Sequence, residues 1–315
     1  MEGVKCGRQL PLLAQGVRGW ILGRETPLEL AIEWAKAEWR SRGLSENTID
    51  AYVTYVRELS SFLGSSTRVG EVTEGDILRF KAYLSERKPP LRPRTRRLAL
   101  NAIRAFFHLL CQAKCLDSNP ASKVYPDPLP RKIPRILTEL QWLRVLDAAL
   151  RKGNFAYLAV YLAGELGLRV GEIHSLLWDD VDLSDPRAPK IRIRYEGQYH
   201  VWKNRTVRGT EALTEIFEKL KEERINQKLP CRPTDRISPW QTVRPLKQLF
   251  HDIGEEAELP FRLTGKILRW RAIWRAYIGG ATHDELSRRF GLSARHLEGE
   301  VLPVLRRLER QEVPV

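Results

Sequence analysis

The sequence predicts a mainly α-helical protein of two domains, the second carrying one small antiparallel sheet. Apolar residues recur at helical spacing from residue 28 to residue 110, and prolines interrupt them at 120–134. A pair of strand-like runs appears only beyond that break.

Leu30, Ile32, Trp34, Ala35 and Trp39 mark a helix over 28–42, which Gly43 ends. Ser45 and Asn47 offer caps to a second helix, whose inward face uses Ile49, Tyr52, Val53, Val56, Leu59 and Phe62. Thr73 with Asp76 opens a third through Ile77, Phe80 and Leu84. After the PPLRPR break, Thr95 to Leu110 makes a fourth, with Leu98, Ile103, Phe106, Phe107 and Leu110 inward. These helices form a compact domain over 26–118, preceded by an N-terminal extension over 1–25.

Pro120, Pro126, Pro128, Pro130 and Pro134 cannot continue a helix, so 119–136 reads as an extended, semi-rigid linker kept basic by Lys123, Arg131, Lys132 and Arg135. In the second domain, 137–315, Thr138 caps a helix through Leu150, a buried helix runs from Phe155 to Leu166, and Gly171–Leu177 is a short one. Lys190–Tyr195 and Tyr199–Val207 read as strands around a turn at Glu196, Gly197 and Gln198. Helices follow at 210–226, 241–257, 266–279, 282–290 and 293–309.

Composition narrows the function class. A chain of 315 residues can bury two cores, and no apolar run approaches the roughly 18 residues of a membrane span. The N-terminal apolar residues are broken by Gln15, Arg18 and glycines, so no secretory signal is read and no membrane partner is expected. Cys6, Cys111, Cys115 and Cys231 form no CxxC pair and read as ordinary core or surface thiols; no metal and no cofactor are expected, in a reduced, cytoplasmic setting. The net charge of +14 calls for a polyanion, because each neutralised phosphate releases counterions. A basic surface that only aids solubility is the plainer reading. Clustering favours nucleic acid: Arg87, Lys88, Arg92, Arg94, Arg96, Arg97 and Arg104 crowd one stretch, and Arg262, Lys266, Arg269, Arg271 and Arg275 another.

Several strings, in order, resemble the tyrosine recombinases and phage integrases. GLSENTIDAY (43–52), RTRRLALNAIRAFFHLL (94–110) and NPASKV (119–124) are similar to the core-binding, SAM-like DNA-binding domain of that family. LAGELGLRVGEIHSLLWDDVDL (162–183) is similar to its first arginine box, and the resemblance extends over 26–305. It implies the two-domain DNA breaking-rejoining fold, closing as a clamp on double-stranded DNA. It also implies a pocket in which arginines grip a phosphate through bidentate, permanently charged hydrogen bonds.

By that resemblance the gripping residues are Arg169, oriented by Glu172, and Arg269, with Lys266 at the position the family usually gives to histidine. Lys266 and Arg269 share a helix face. The hairpin lysine that protonates the leaving oxygen falls on Glu196 or His200, depending on the anchor, while Lys203 stands nearby. The second histidine falls on Leu292, after Gly291, and the nucleophilic tyrosine on Val301, within a residue or two of Glu300 and Leu302. Tyr277 is the remaining tyrosine candidate for attack, though its position matches an inward apolar site. Residues 282–297 read either as a helix-turn-helix, with Leu286, Phe290, Leu292 and Leu297 inward, or as two packed helices of the family fold.

The expected DNA contacts are Thr48, Arg94, Thr95, Arg96 and Arg97 in the first domain and Arg288, Arg289 and Arg295 in the second. The resulting expectation is a cytoplasmic, nucleoid-associated, sequence-specific DNA-binding protein that has lost strand cleavage. It would act in recombination, integration or mobile-element target recognition, with an active recombinase, transposition proteins or further copies of itself as partners. The alternatives are an active recombinase with a displaced or partner-supplied nucleophile, and a helical protein-interaction scaffold.

Overall fold

The computed structural model describes residues 22–129, 133–194 and 204–310. The chain divides into two compact units, Met1–Arg131 and Lys132–Val315. The boundary falls within the proline-rich stretch, where the rigid φ of proline favours a connector over a packed element.

The first unit packs α1 (Leu28–Ser41), α2 (Glu46–Leu63), α3 (Glu74–Glu86) and α4 (Pro93–Gln112) around one core. Ser45 caps α2 by accepting from the Thr48 amide, and Thr73 and Asp76 cap α3 reciprocally. Pro93 starts α4 at the first helical position, where its missing N–H costs nothing. Ile49, Val56, Ile77, Phe80, Ile103, Phe106 and Phe107 are fully enclosed. The expected inward faces were too wide: Phe62 and Leu98 are exposed at the edges of their helices' apolar stripes, and a helix in a small bundle buries only the middle of its stripe. Leu30, counted in the helical pattern of α1, lies on the face opposite Leu28, Ala31, Ile32, Ala35 and Trp39 and is exposed. Asn119 to Val124, read from sequence as linker, in fact pack on this unit, Ala121 and Val124 being buried in its core.

The second unit begins its helices with α5 (Glu139–Arg151), capped by Thr138 and Gln141, and the almost wholly apolar α6 (Asn154–Gly164). α7 (Val170–Ser175) follows, then an antiparallel sheet of β1 (Val181–Asp182), β2 (Lys190–Ile193) and β3 (Arg205–Arg208) in that order. Ile191 pairs with Val207 and Ile193 with Arg205. The strand β1 was not expected; its two residues are too few to show an alternating pattern. The hairpin turn, with Glu196, His200 and Lys203, lies outside the described residues.

α8 (Glu211–Asn226), α9 (Val243–Glu256), α10 (Gly265–Ile278), α11 (His283–Phe290), α12 (Ala294–His296) and α13 (Leu302–Arg310) complete the unit. The helix expected over 293–309 is interrupted by a π-helical turn, Leu297–Val301. One core is built on α5 to α10, and a second cluster joins the end of α10 to α11 and α13.

α10 is anchored by a buried arginine. Arg271, 1% exposed, donates to the Gly164 carbonyl and to Glu165 and Glu139, with its guanidinium 4.0 Å from the Trp142 ring. Arg271→Ala would remove this cation and leave a cavity, so urea unfolding is expected to show a loss of about 3 kcal/mol.

Candidate functional site

Arg169 precedes α7 as its N-cap, and the Arg169 amide donates to Glu172 Oε2 at 2.7 Å. Its guanidinium donates to Glu172 Oε1 at 2.8 Å and to the Gly291 carbonyl at 3.0 Å. The Arg169 side chain remains 37% exposed, so part of this cation faces solvent.

Glu172 is the only carboxylate recorded in this cluster among the described residues, and Arg205 of β3 holds it end-on, through both terminal nitrogens. Arg205 Nη1 and Nη2 reach Oε1 and Oε2, each at 2.9 Å, while Nε donates to the Arg289 carbonyl at 2.9 Å. Burial pushes the Glu172 carboxyl up. The hydrogen bonds and charge of Arg205, with the Arg169 amide and guanidinium, outweigh that and hold it at about 2.

Arg269 lies on α10, where Thr264 caps the helix. It is 8% exposed and donates to the carbonyls of Gly167 and Phe290. No carboxylate is recorded on it among the described residues. Burial first, and then the charge of Arg169, push the Arg269 guanidinium down to about 9, with Arg205 adding to the effect and Glu172 opposing it. At neutral pH it is charged. Among the described residues, Arg169, Arg205 and Arg269 thus gather around the Glu172 carboxylate, and such a cluster of three cations suits an oxyanion.

Lys266 is exposed one turn before Arg269, and no hydrogen bond or ion pair is recorded on it among the described residues. Lys203 lies outside them. Leu292 and Val301 are 4% and 2% exposed, both inside the C-terminal apolar cluster. Tyr277 donates to Glu309 at 3.0 Å and stacks on Trp274. Burial and this carboxylate push its hydroxyl pKa up, the wrong direction for a nucleophile.

α11 and α12 meet at Gly291, whose φ of 54° is the left-handed conformation that glycine adopts freely. Leu286, Phe290, Leu292 and Leu297 point inward, while Arg288, Arg295 and His296 are exposed. Arg289, also exposed, donates to the Glu165 carbonyl at 3.0 Å.

In the first unit the basic stretch is less crowded than its sequence suggests. Arg87 pairs with Glu58, Arg96 lies 3.6 Å from Asp127, and Arg104 donates to the carbonyls of Ala121 and Val124. Arg92, Arg94 and Arg97 stay exposed around the start of α4. Thr95 is half-buried there, and Thr48 shares a hydrogen bond with Ser45 at 2.8 Å.

Motif spacing does not single out Arg205. A charged residue in a short strand normally signals a solvated face, and only the fold reveals that this side chain is 5% exposed and turned onto Glu172. No group of histidine, cysteine, aspartate and glutamate able to hold a metal occurs among the described residues. No helix among them is long and apolar enough to cross a membrane.

Residues 32–116 match the family described as phage integrase, N-terminal SAM-like domain. Tyrosine recombinase XerD of Shewanella oneidensis is 32% identical over 185 residues, covering 56% of this chain and 58% of that protein. Tyrosine recombinase XerC of Roseiflexus sp. is 31% identical over 148 residues, covering 45% and 47%. The chain spans about half the length of the curated relatives it matches. Among solved structures, the Tn1549 transposon integrase in complex with transposon right end DNA aligns with a TM-score of 0.66 at 17% identity, over 90% of this chain and 99% of that one. A lambda integrase dimer bound to a COC′ core site aligns with a TM-score of 0.63 at 18% identity, over 87% and 76%.

Proposed function

We propose that the chain is a member of the tyrosine recombinase and phage integrase family that binds duplex DNA in recombination or integration, holding a backbone phosphate without cutting it. The observation that carries this reading is an asymmetry within one site. Among the described residues, Arg169, Arg205 and Arg269 gather around the ionised Glu172, a cluster of cations that supports oxyanion binding. The positions that the resemblance gives to the donating histidine and the attacking tyrosine carry Leu292 and Val301, apolar and buried. A pocket of this kind retains the electrostatic part of phosphoryl chemistry and lacks attack and one of its hydrogen-bond donors.

The exposed Arg169 and Lys266 are the groups proposed to meet the phosphate, while the buried Arg269 supplies charge from behind. Arg92, Arg94 and Arg97 on the first unit, and Arg288 and Arg295 on the second, add contacts to neighbouring phosphates. Such contacts position the protein and carry no sequence information themselves. Target specificity, a role at mobile elements and association with an active recombinase are part of the same proposal.

The test begins with sites selected from genomic DNA by the purified protein. Affinity for a selected site is expected to fall steeply with salt, and Arg169→Ala should lower the log–log salt slope by about 1. A nicked suicide substrate carrying the site should yield no protein–DNA adduct. An adduct that disappears in Tyr277→Phe would identify a displaced nucleophile and overturn the non-cleaving reading. Weak, salt-independent binding would instead favour a protein-interaction scaffold.

A further inference from the structure

The C-terminal end of α11 is satisfied almost entirely by the site's own arginines. A helix leaves its last carbonyls without intrahelical partners, and they form the negative end of its dipole. Here the Leu292 and Gly291 amides take the carbonyls of Ser287 and Arg288. The next carbonyls in order, Arg289, Phe290 and Gly291, accept from Arg205, Arg269 and Arg169 respectively. Those side chains arrive from β3, α10 and α7, so one turn registers three separate elements. Arg205 is the member that also grips both oxygens of Glu172, and its guanidinium fills the space beside Gly291, where a Cβ would stand 2.9 Å from Nη1.

We infer that Arg205 is a positioning residue of the phosphate pocket: it fixes Glu172, and through Glu172 the guanidinium of Arg169, while tying β3 to the turn that Arg169 and Arg269 also hold. Its side chain is 5% exposed against 37% for Arg169, so it acts through its neighbour and offers little surface to a ligand itself. The same contacts join the hairpin strand to the pocket, because β3 begins at Arg205. The end-on, two-bond grip needs the planar fork of arginine; a lysine supplies charge without that geometry.

The inference rests on the proposed meeting of Arg169 with a DNA phosphate, and a double-mutant cycle separates the two. The full chain would be titrated with a fluorescent duplex carrying a selected site, at fixed salt, for wild type, Arg205→Lys, Arg169→Ala and the double variant. Arg205→Lys is expected to weaken binding about tenfold in the wild-type background and less than about twofold in the Arg169→Ala background, the non-additivity of residues acting as a unit. Equal losses in both backgrounds, as from general destabilisation or a direct contact, would overturn the inference. So would wild-type affinity in Arg205→Lys, which would mean that charge alone suffices. If Arg169→Ala itself leaves affinity unchanged, the phosphate reading fails first and the inference with it. Should Arg205→Lys fold poorly by circular dichroism, Arg205→Gln in the same cycle gives the same discrimination.

Discussion

Replacing Glu172 with glutamine is expected to lower the melting temperature of the second unit by about 10 °C at pH 7. Glutamine keeps the shape of the side chain and removes its charge. Arg205, 5% exposed, and Arg269, pushed down to about 9 by burial, would then share a buried site without the Glu172 charge. Removing one partner of a buried ion pair costs about 3–5 kcal/mol, because the remaining charge is stranded. For a domain of this size each kcal/mol corresponds to about 2–4 °C.

The pH dependence gives the effect a signature. The Glu172 carboxyl is held at about 2 in the folded protein against an ordinary value of 4.5, a depressed pKa, so its stabilisation is complete above about 4.5. It is lost as pH falls towards 2. The linkage amounts to about 3 kcal/mol at neutral pH. Thermal unfolding of wild type and Glu172→Gln between pH 3 and 8 should therefore give curves separated by a constant gap above pH 5 and converging below it. A gap that persists unchanged to pH 3 would mean that packing, and not the carboxylate charge, holds the cluster. Sulfate or phosphate should stabilise the variant more than the wild type, since an added anion replaces the missing one.

Much of this architecture is legible in the sequence because it depends on local rules. Ser45, Thr73 with Asp76, and Thr138 announce helix starts through short-range hydrogen bonds, and each of them caps its helix. Gly291 is likewise readable as a turn, since few other residues adopt its left-handed backbone. What escapes is whatever depends on three-dimensional partners. Phe62 and Leu98 satisfy helical periodicity yet are exposed, because periodicity marks a stripe and packing selects only part of it. Arg271 belongs to a basic cluster in sequence but is buried against Trp142 and two carboxylates, so charge counted along the chain overstated the surface charge. Arg205 acquires its place only when β3 lies beside the start of α7, a contact between residues 33 positions apart. The interruption of the last helix at Leu297–Val301 has a local cause that helical periodicity alone passes over: Pro303 has no N–H to give the Gly299 carbonyl, and its ring crowds the preceding turn.

That interruption governs the second large effect: Val301→Tyr is expected to destabilise the protein and to leave it unable to cleave DNA. Val301 closes the π-helical turn, is 2% exposed, and packs in the cluster that includes Leu286, Phe290, Leu297 and Leu305. A tyrosine there must force an aromatic ring into a filled core, at about 1–3 kcal/mol, and bury a hydroxyl without a partner, at a similar cost. The melting temperature should fall by about 5–10 °C. If the ring is accommodated, its oxygen remains among apolar side chains, and Leu292 still offers no hydrogen bond to a phosphate. Glu300→Tyr is the informative companion. Position 300 is exposed, one residue away in the same turn, so a tyrosine there should be tolerated with little change in stability. Both variants would be incubated with a nicked suicide substrate and resolved on denaturing gels. No adduct from either means that restoring a hydroxyl is insufficient and that the loss of cleavage is distributed over the site. An adduct from Glu300→Tyr alone would mean that the π-turn shifted the register and that the attacking hydroxyl is the only missing part. An adduct from Val301→Tyr would refute the buried placement, because the side chain must leave the apolar cluster to reach a phosphate at the pocket proposed around Arg169.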